Sequence, residues 1–565
     1  MDNFVKVKIG QFFVTNFANR TTICCNSCLN LANFPSLQFP PRINQRFLKK
    51  TVLSFLLFLS FSLHAADQDP SSLFIQHCAS CHGVDRLGIS GPALLPENLK
   101  RVRKKQAINS ITHGLPATQM PAFGQKLKTA EIESLVDYIY TPLAELPVWN
   151  EKAIEKSHAI YKPDLIKGNA RTATPVYQAD PLNVFLVVEA GDHHVTVLDG
   201  DTFTPIHRFK SRYALHGGPK FSSDGRFVYF ASRDGWISKF DMYKLQTVAE
   251  VRVGINTRNL AVSADDRYVL VGNYLPHTLI LLNATDLSLI KIIPVEDGLG
   301  NSSRVSAVYT APPRQSFIAA LKDFKEVWEI HYSDDPPTIF HGAVHDYHMA
   351  EGLAEKGPFP VDHIELDDYL DDFFFDQSYN NIIGAARNAK NGQVFNLIVK
   401  QKIADLDLTG MPHLGSGITW KYKDTVVLAT PNLRENTVTI IDTKNWKTIR
   451  KIETKGPGFF MRSHENSRYA WVDVFVGPNK DLMHVIDKGT LEIVKTLKPA
   501  PGKTSGHIEF TRDGRYALLS IWEKDGALIV YDAETLEEVK RIPMKKPVGK
   551  YNVYNKITRS SGTSH

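Results

Sequence analysis

Phe510-Thr511-Arg512-Asp513-Gly514-Arg515-Tyr516-Ala517-Leu518-Leu519-Ser520, then Asp525-Gly526-Ala527-Leu528-Ile529-Val530-Tyr531-Asp532, then Leu536-Glu537-Glu538-Val539, is the stretch on which the fold turns. Its runs are short, apolar and rich in aromatic or β-branched residues, and Asp-Gly pairs punctuate them. Asp-Gly between apolar alternations is a strong hairpin signal, because glycine accepts the positive φ of a tight turn. The unit recurs as Phe221-Ser222-Ser223-Asp224-Gly225-Arg226-Phe227-Val228-Tyr229-Phe230, followed by Asp234-Gly235-Trp236-Ile237-Ser238-Lys239-Phe240-Asp241. A third copy starts near Asn259, with Asp265-Asp266-Arg267-Tyr268. Repeats of roughly 40 residues that read as short strands mean a propeller. The spacing predicts eight blades, with inner strands starting near 183, 216, 257, 304, 371, 416, 458 and 507. The terminal stretch Lys550 to Ile557 is expected to pair with the first blade and close the ring, leaving no long bare sheet edge.

Upstream of the repeats, Cys78-Ala79-Ser80-Cys81-His82 is a C-x-x-C-H run, the attachment signature of c-type haem. Two thiols add to the vinyl groups of the macrocycle, and the adjoining imidazole of His82 becomes an axial iron ligand. The competing reading is a redox or zinc-binding C-x-x-C. It is weaker because a second axial ligand is available. Met120, in the Pro/Gly-rich loop Gly114 to Gly124, is the only methionine between the motif and the end of this small segment. A thioether opposite an imidazole raises the potential into the electron-transfer range; His113 is the alternative sixth ligand. Ser71 to His82 reads as a helix running into the motif. Thr129 to Tyr140 reads as a second helix, with apolar residues at helical spacing and acidic residues early. Thr141-Pro142 ends it, since the residue before a proline is pushed out of the helical region. The expectation is a small all-α cytochrome c domain over about 70–145, a linker over 146–177, and an all-β propeller over 178–565.

Lys49-Lys50 through Leu63-His64-Ala65-Ala66 has a basic start, an apolar run too short to span a bilayer and a small-residue exit, the pattern of a secretory signal peptide over 48–66. Cleavage is expected after Ala65 or Ala66. Asp67-Gln68-Asp69-Pro70 follow at once, which argues against a membrane anchor. Residues 1–47, including Cys24, Cys25 and Cys28, show no clear period and are expected to be dispensable, with translation starting near 48. Residues 1–66 carry seven Lys/Arg and one Asp, which accounts for the formal charge of +6; the remainder holds 59 basic and 59 acidic residues. No basic field remains for nucleic acid or an anionic membrane. Cys78 and Cys81 are the only thiols left, haem uses both, and disulfides are excluded. Export plus covalent haem implies the periplasm.

A propeller has a central channel, and the starts of its innermost strands ring one mouth. Aligning the blades places His216, Arg258, Arg304, Asp371, His413, Gly458 and His507 at equivalent points. Three histidines and two arginines around one funnel can bind an anionic cofactor and move protons. Three histidines at one blade position favour a site over simple strand capping. His341, His345 and His348, between blades four and five, lack the spacing of a common zinc site, and no cysteine supports them. The Gly-rich stretches do not follow a strand–helix pattern, which argues against a nucleotide loop.

A small haem c domain followed by an eight-bladed propeller resembles the cytochrome cd1 nitrite reductase family, which includes proteins of haem d1 biosynthesis. The resemblance covers about 70–565. It rests on Arg212-Tyr213-Ala214-Leu215-His216, Gly410-Met411-Pro412-His413-Leu414-Gly415-Ser416-Gly417, Gly506-His507-Ile508-Glu509-Phe510 and Gly549-Lys550-Tyr551-Asn552-Val553-Tyr554-Asn555. It implies that His216 is the proximal ligand of a d1-type haem iron and His413 a distal ligand, with His507 and Tyr551 handling protons. Arg233, Arg258 and Arg304 are candidates for the macrocycle's carboxylates, since guanidinium binds them bidentately. The nitrite reductases hold a second distal histidine in the segment matching Leu370 to Asp376, where this sequence has Asp371. That departure, His507 and the ending Ser561-Gly562-Thr563-Ser564-His565 look like the d1 assembly proteins. Among these, a haem c domain marks the dihydro-haem d1 dehydrogenases. The resemblance therefore implies oxidation of one propionate of dihydro-haem d1 to an acrylate. Electrons pass to the c haem and on to a cytochrome or cupredoxin, and haem d1 is delivered to nitrite reductase. The alternatives are a nitrite reductase making nitric oxide and a d1-haem carrier without catalysis. No nucleic-acid partner, and no membrane anchor after processing, is expected.

Overall fold

The computed structural model describes residues 69–558, except 90, 101, 116–119, 146, 168–173, 216–217, 298, 342–352, 356 and 386–390. The expected signal peptide, residues 1–47 with their cysteines, His216, His345, His348 and Ser561 to His565 lie outside the described residues.

Asp69 starts the first helix, Pro70–His77. Its carboxylate accepts from the Ser72 N–H at 3.3 Å, and Pro70 sits in the first turn, where a missing N–H leaves no bond unmade. The helix expected to run unbroken to His82 is interrupted at Cys78, and a single turn, Ala79–His82, carries the second thiol and the imidazole. Pro96–Leu99, Lys104–His113 and Thr129–Tyr140 complete the helices around this motif, the last with the expected bounds. Leu73, Phe74, Leu99, Phe123, Leu127, Ile132, Leu135 and Ile139 form their common core.

Eight antiparallel blade sheets follow among the described residues, seven of four strands and one, the second blade, of five, where Ala159–Ile160 adds to its outer edge. Val184–Glu189 and Ser316–Leu321 are buried along their whole length, because each blade is covered on both faces by its neighbours. Outermost strands such as Pro205–Lys210 are mostly exposed or half-buried. The core is a ring of layers between blades. In one layer Tyr229, Ile237 and Val251 of the second blade meet Leu260, Val271 and Ile280 of the third. Phe317 fills the next layer, and Phe317→Ala should cost about 3–5 kcal/mol through the cavity it leaves.

Seven innermost strands begin at Lys220, Asn256, Val305, Asp372, Ile418, Met461 and Ser505, within a few residues of the expected starts. The first blade differs from expectation. Val184–Glu189 is its second strand, and its innermost strand is Pro547–Asn552 from the C-terminal end. This ladder lies earlier than 550–557 because Asn552 stops it: its side-chain oxygen accepts from the Asn555 N–H at 3.3 Å and starts the helix Val553–Thr558. The ribbon Ile339–His341 with Leu353–Glu355 lies inside the fourth blade, ahead of its outermost strand Val361–Glu365, and not between blades four and five.

The loop after His82 is seated on the propeller. Arg252, buried on the second blade, donates to the carbonyls of Leu87 and Gly88 and, from Nε, to that of Asp234 at 2.8 Å. Ala93 and Leu95 pack with Ile255 and Leu275 beside it. Among the described residues, no helix is long and apolar enough to cross a membrane.

Candidate functional site

His82 is buried, with Nδ1 2.8 Å from the carbonyl oxygen of Pro92. A carbonyl only accepts, so Nδ1 carries the proton and Nε2 keeps its lone pair, the arrangement of a metal-ligating histidine. Burial pulls the imidazole below its ordinary pKa and keeps it neutral. The ring needs glycine at 91, where a Cβ would stand 2.7 Å from Cε1. Cys78 and Cys81 are unbridged, half-buried thiols, and Cys78 and Met120 both pack against the apolar cluster of Leu73 and Phe74. His113 closes its helix with an exposed side chain. This donor set and its apolar wall fit a covalently attached haem.

The channel of the propeller holds a cavity of about 580 Å³, within the range that takes one cofactor-sized ligand. Of the candidates, Arg258, Asp371, His413, His507 and Tyr551 line it. His413 occupies the turn ahead of Ile418–Tyr422. Its Nδ1 is 2.6 Å from the Phe459 carbonyl, and its ring lies 4.2 Å from the Phe459 ring. By the same argument as for His82, Nε2 is the free nitrogen. Burial holds this imidazole below its ordinary pKa, against the opposing charge of Asp372. His507 packs between Phe460 and Tyr551, with ring centroids at 4.8 and 5.2 Å. Burial, then the cations Lys550, Arg462 and Lys556, hold it well below its ordinary pKa, so it is neutral at neutral pH. Burial pushes the Tyr551 hydroxyl up to about 12, so it stays protonated. Its ring fits because residues 218 and 549 are glycines; a Cβ on Gly549 would stand 2.6 Å from the phenol oxygen.

The arginines separate. Arg258 lines the cavity and donates from Nε to the Ser306 carbonyl at 2.7 Å. Arg304 is not part of the lining: its guanidinium holds Asp323 with Nε at 2.9 Å and Nη2 at 2.5 Å. Arg233 is not part of it either. Asp371 is ion-paired with Lys322, and the neighbouring Asp372 accepts the Tyr309 hydroxyl at 2.9 Å. Gly458 is also absent from the lining. His216 lies outside the described residues, while Leu215 and Gly218, which flank it in sequence, line the cavity.

Residues 179–556 match the family described as Cytochrome D1 heme domain, and residues 65–139 the family Cytochrome C oxidase, cbb3-type, subunit III. The chain belongs to the cytochrome d1 haem domain family. It is 53% identical over 513 residues to the dihydro-heme d1 dehydrogenase of Pseudomonas aeruginosa, covering 91% of this chain and 99% of that one. It is 24% identical over 537 residues to the nitrite reductase of Stutzerimonas stutzeri, covering 86% and 92%. The solved structure of dihydro-heme d1 dehydrogenase NirN in complex with DHE superposes with a TM-score of 0.80 at 54% identity, covering 86% of this chain and all of that one.

Within this d1-family cavity the structure adds Arg462, Lys556 and Trp522, which the sequence reading missed. Arg462 is buried, donates one bond to the Met461 carbonyl at 2.9 Å, and leaves Nε without a partner. The Trp522 indole N–H is likewise partnerless. Lys556 is half-buried on the C-terminal helix, and desolvation lowers its amine to about 7. Arg462 stands four residues past Gly458, where the blade alignment had placed the ring position. The true strand start at Met461 would have found it. Lys556 was hidden because its segment was read as strand.

Proposed function

We propose that the protein is a dihydro-haem d1 dehydrogenase, binding its substrate in the propeller and removing two electrons and two protons from one propionate to give an acrylate. The observation that carries this is a convergence in one cavity. It brings together an imidazole with a free Nε2 (His413), a neutral imidazole beside a phenol (His507, Tyr551), and a guanidinium with an unused N–H (Arg462). The 53% identity to a dihydro-heme d1 dehydrogenase supports the substrate.

His413 is placed to meet the substrate iron through Nε2, and the resemblance assigns His216 to the opposite face. Arg462 and Arg258, with the Trp522 indole, supply donors for the carboxylates; desolvated guanidinium–carboxylate pairs are the strong, bidentate kind. Arg304 leaves this role because Asp323 holds its guanidinium, and Arg233 because it is not among the residues lining the cavity. His507 is neutral and keeps one unprotonated nitrogen, so it can accept a proton from the side chain, with Tyr551 orienting it. Phe459 and Phe460 give the pocket an apolar wall. Cys78, Cys81, His82 and Met120 would hold the c haem, which when bound takes electrons one at a time. The electrons then leave to a cytochrome or cupredoxin, and the product is passed to nitrite reductase. We place the protein in the periplasm, on the basic, apolar and small-residue pattern of 49–66.

The test is anaerobic mixing of the full chain, carrying its oxidised c haem, with dihydro-haem d1 and a soluble one-electron oxidant, since the c haem takes only one of the two electrons at a time. The bound macrocycle should change its visible spectrum as the c haem is reduced, and His216→Ala should abolish binding. Nitric oxide production from nitrite at the rate of a dedicated reductase, after loading with haem d1, would favour the reductase reading instead. Asp371 argues against that outcome, because a carboxylate paired with Lys322 is no proton donor to nitrite.

A further inference from the structure

A carboxylate behind the cavity wall links the backbone of one of its imidazole-bearing residues to the backbone that holds the other imidazole. Asp473 ends the strand Tyr469–Asp473 and is fully buried. Oδ1 accepts from the N–H groups of Phe459 at 2.7 Å and Phe460 at 3.0 Å, and Oδ2 from that of His507 at 3.3 Å. The Phe459 carbonyl in turn takes the proton of His413 Nδ1 at 2.6 Å. His413, Phe459, Asp473 and His507 therefore form one hydrogen-bonded chain over three successive blades.

His507 needs such a support. Its φ of +54° is left-handed, a conformation that histidine adopts at a cost. The strand Ser505–Phe510 changes register between Gly506 and Ile508, so His507 is the extra residue of a β-bulge. A bulge re-aims a side chain away from the regular ladder, and here the ring turns into the cavity. Asp473 takes the N–H of the bulge, and Lys550 donates to its carbonyl and to Ser520 Oγ, the latter at 2.9 Å. Gly506 leaves room for this arrangement: a Cβ there would stand 3.2 Å from Asp473 Oδ2 and 3.1 Å from the Phe475 ring.

We propose that Asp473 is a positioning residue that sets His413 and His507 relative to each other, so that the iron-ligating and the proton-accepting imidazole meet one bound macrocycle at a fixed separation. This rests on the dehydrogenase reading above. Displacing a reacting group by about 1 Å can cost around 10²-fold in rate, so a loss of registry should appear in chemistry before it appears in affinity.

The test compares wild type with Asp473→Asn and Gly506→Ala, each as the full chain with its covalent haem. Asparagine keeps the size but turns an acceptor into an NH₂ among N–H groups; the alanine methyl presses on Oδ2 and leaves the carboxyl group in place. Three readouts are taken: titration with dihydro-haem d1 followed by the spectrum of the bound macrocycle, single-turnover oxidation, and, without substrate, peptide mapping of histidines after diethyl pyrocarbonate. Binding should stay near wild type, oxidation should slow by roughly tenfold or more, the spectrum should shift, and labelling of both His413 and His507 should change. Asp473→Asn with wild-type rate, spectrum and labelling overturns the proposal, and so does altered labelling of His507 alone. If Asp473→Asn does not fold, Gly506→Ala carries the same comparison. If wild type itself fails to oxidise the substrate, the dehydrogenase reading falls, and the paired labelling still decides the role of Asp473.

Discussion

In the helical domain His82 gives its Nδ1–H to the carbonyl of Pro92 at 2.8 Å; in the propeller His413 gives its own to the carbonyl of Phe459 at 2.6 Å. Both rings are thereby locked in one tautomer with Nε2 available to a metal. The supports differ in range. Pro92 is ten residues from His82, in the loop that follows the haem motif, whereas Phe459 is 46 residues from His413 and belongs to the next blade. The charges differ as well. His82 belongs to a domain whose core is apolar, while the cations Arg462, Lys550 and Lys556 surround His507, and Arg462 and Lys556 line the cavity itself. One region is built to hold a permanently attached group by local geometry. The other is built to receive a carboxylate-bearing ligand by convergence.

The comparison breaks most sharply at the thiols. Cys78→Ala should abolish covalent haem and multiple-turnover oxidation together, while the cavity binds dihydro-haem d1 as before; haem staining and a binding titration check this. A parallel loss of substrate binding would mean that the two regions are not independent in recognition. Next in size is His507→Ala, which should retain binding and lose about 10²-fold or more in single-turnover rate, the usual scale for a general base. Tyr551→Phe should be milder. A normal rate in His507→Ala would pass the base role to His413.

Arg462→Met should weaken substrate binding by about 10- to 100-fold, the value of a hydrogen bond to a charged group of about 1.5–3 kcal/mol, and leave the c haem potential untouched. Spectral titration and redox potentiometry on the same sample separate the two effects. Met120→His should do the reverse. It should keep the haem, lower its potential because a second imidazole replaces a thioether, and leave substrate affinity unchanged. An unmoved potential would shift attention to His113. The smallest expected effect is with pH. The pKa of His507 lies well below its ordinary 6.5 in the folded protein, so the imidazole stays unprotonated as the pH falls. His507 should therefore add no loss of rate between pH 8 and 6.5; in a Lys556→Met variant, which removes the amine that titrates near 7, a loss of single-turnover rate centred on 6.5 would show an unperturbed histidine instead.

Much of the architecture was legible. Asp-Gly punctuation marked the blades, and Thr129 to Tyr140 carried its helix bounds in its own pattern. The C-terminal closure was read in kind but not in register, because Asn552 caps a helix where apolar alternation suggested more strand. The site was legible only where a residue type is unusual. His413 and His507 stood out, while Arg304 and Arg258 looked equivalent until Asp323 was seen to hold one and not the other. Arginine is common on propeller surfaces, and a pattern of single residues cannot show which guanidinium has been claimed by a neighbour.

The sequence by itself determined the haem attachment, the propeller and the presence of histidines near the channel, because these follow from covalent spacing and from periodicities of a few residues to a few tens. Only the tertiary structure decided which cations face the cavity, which nitrogen of His413 is free, and how His413 and His507 are tied through Phe459 and Asp473. Those contacts join residues of separate blades, and their strength comes from burial that no single segment possesses. They exist only once neighbouring blades have packed and water has been excluded between them.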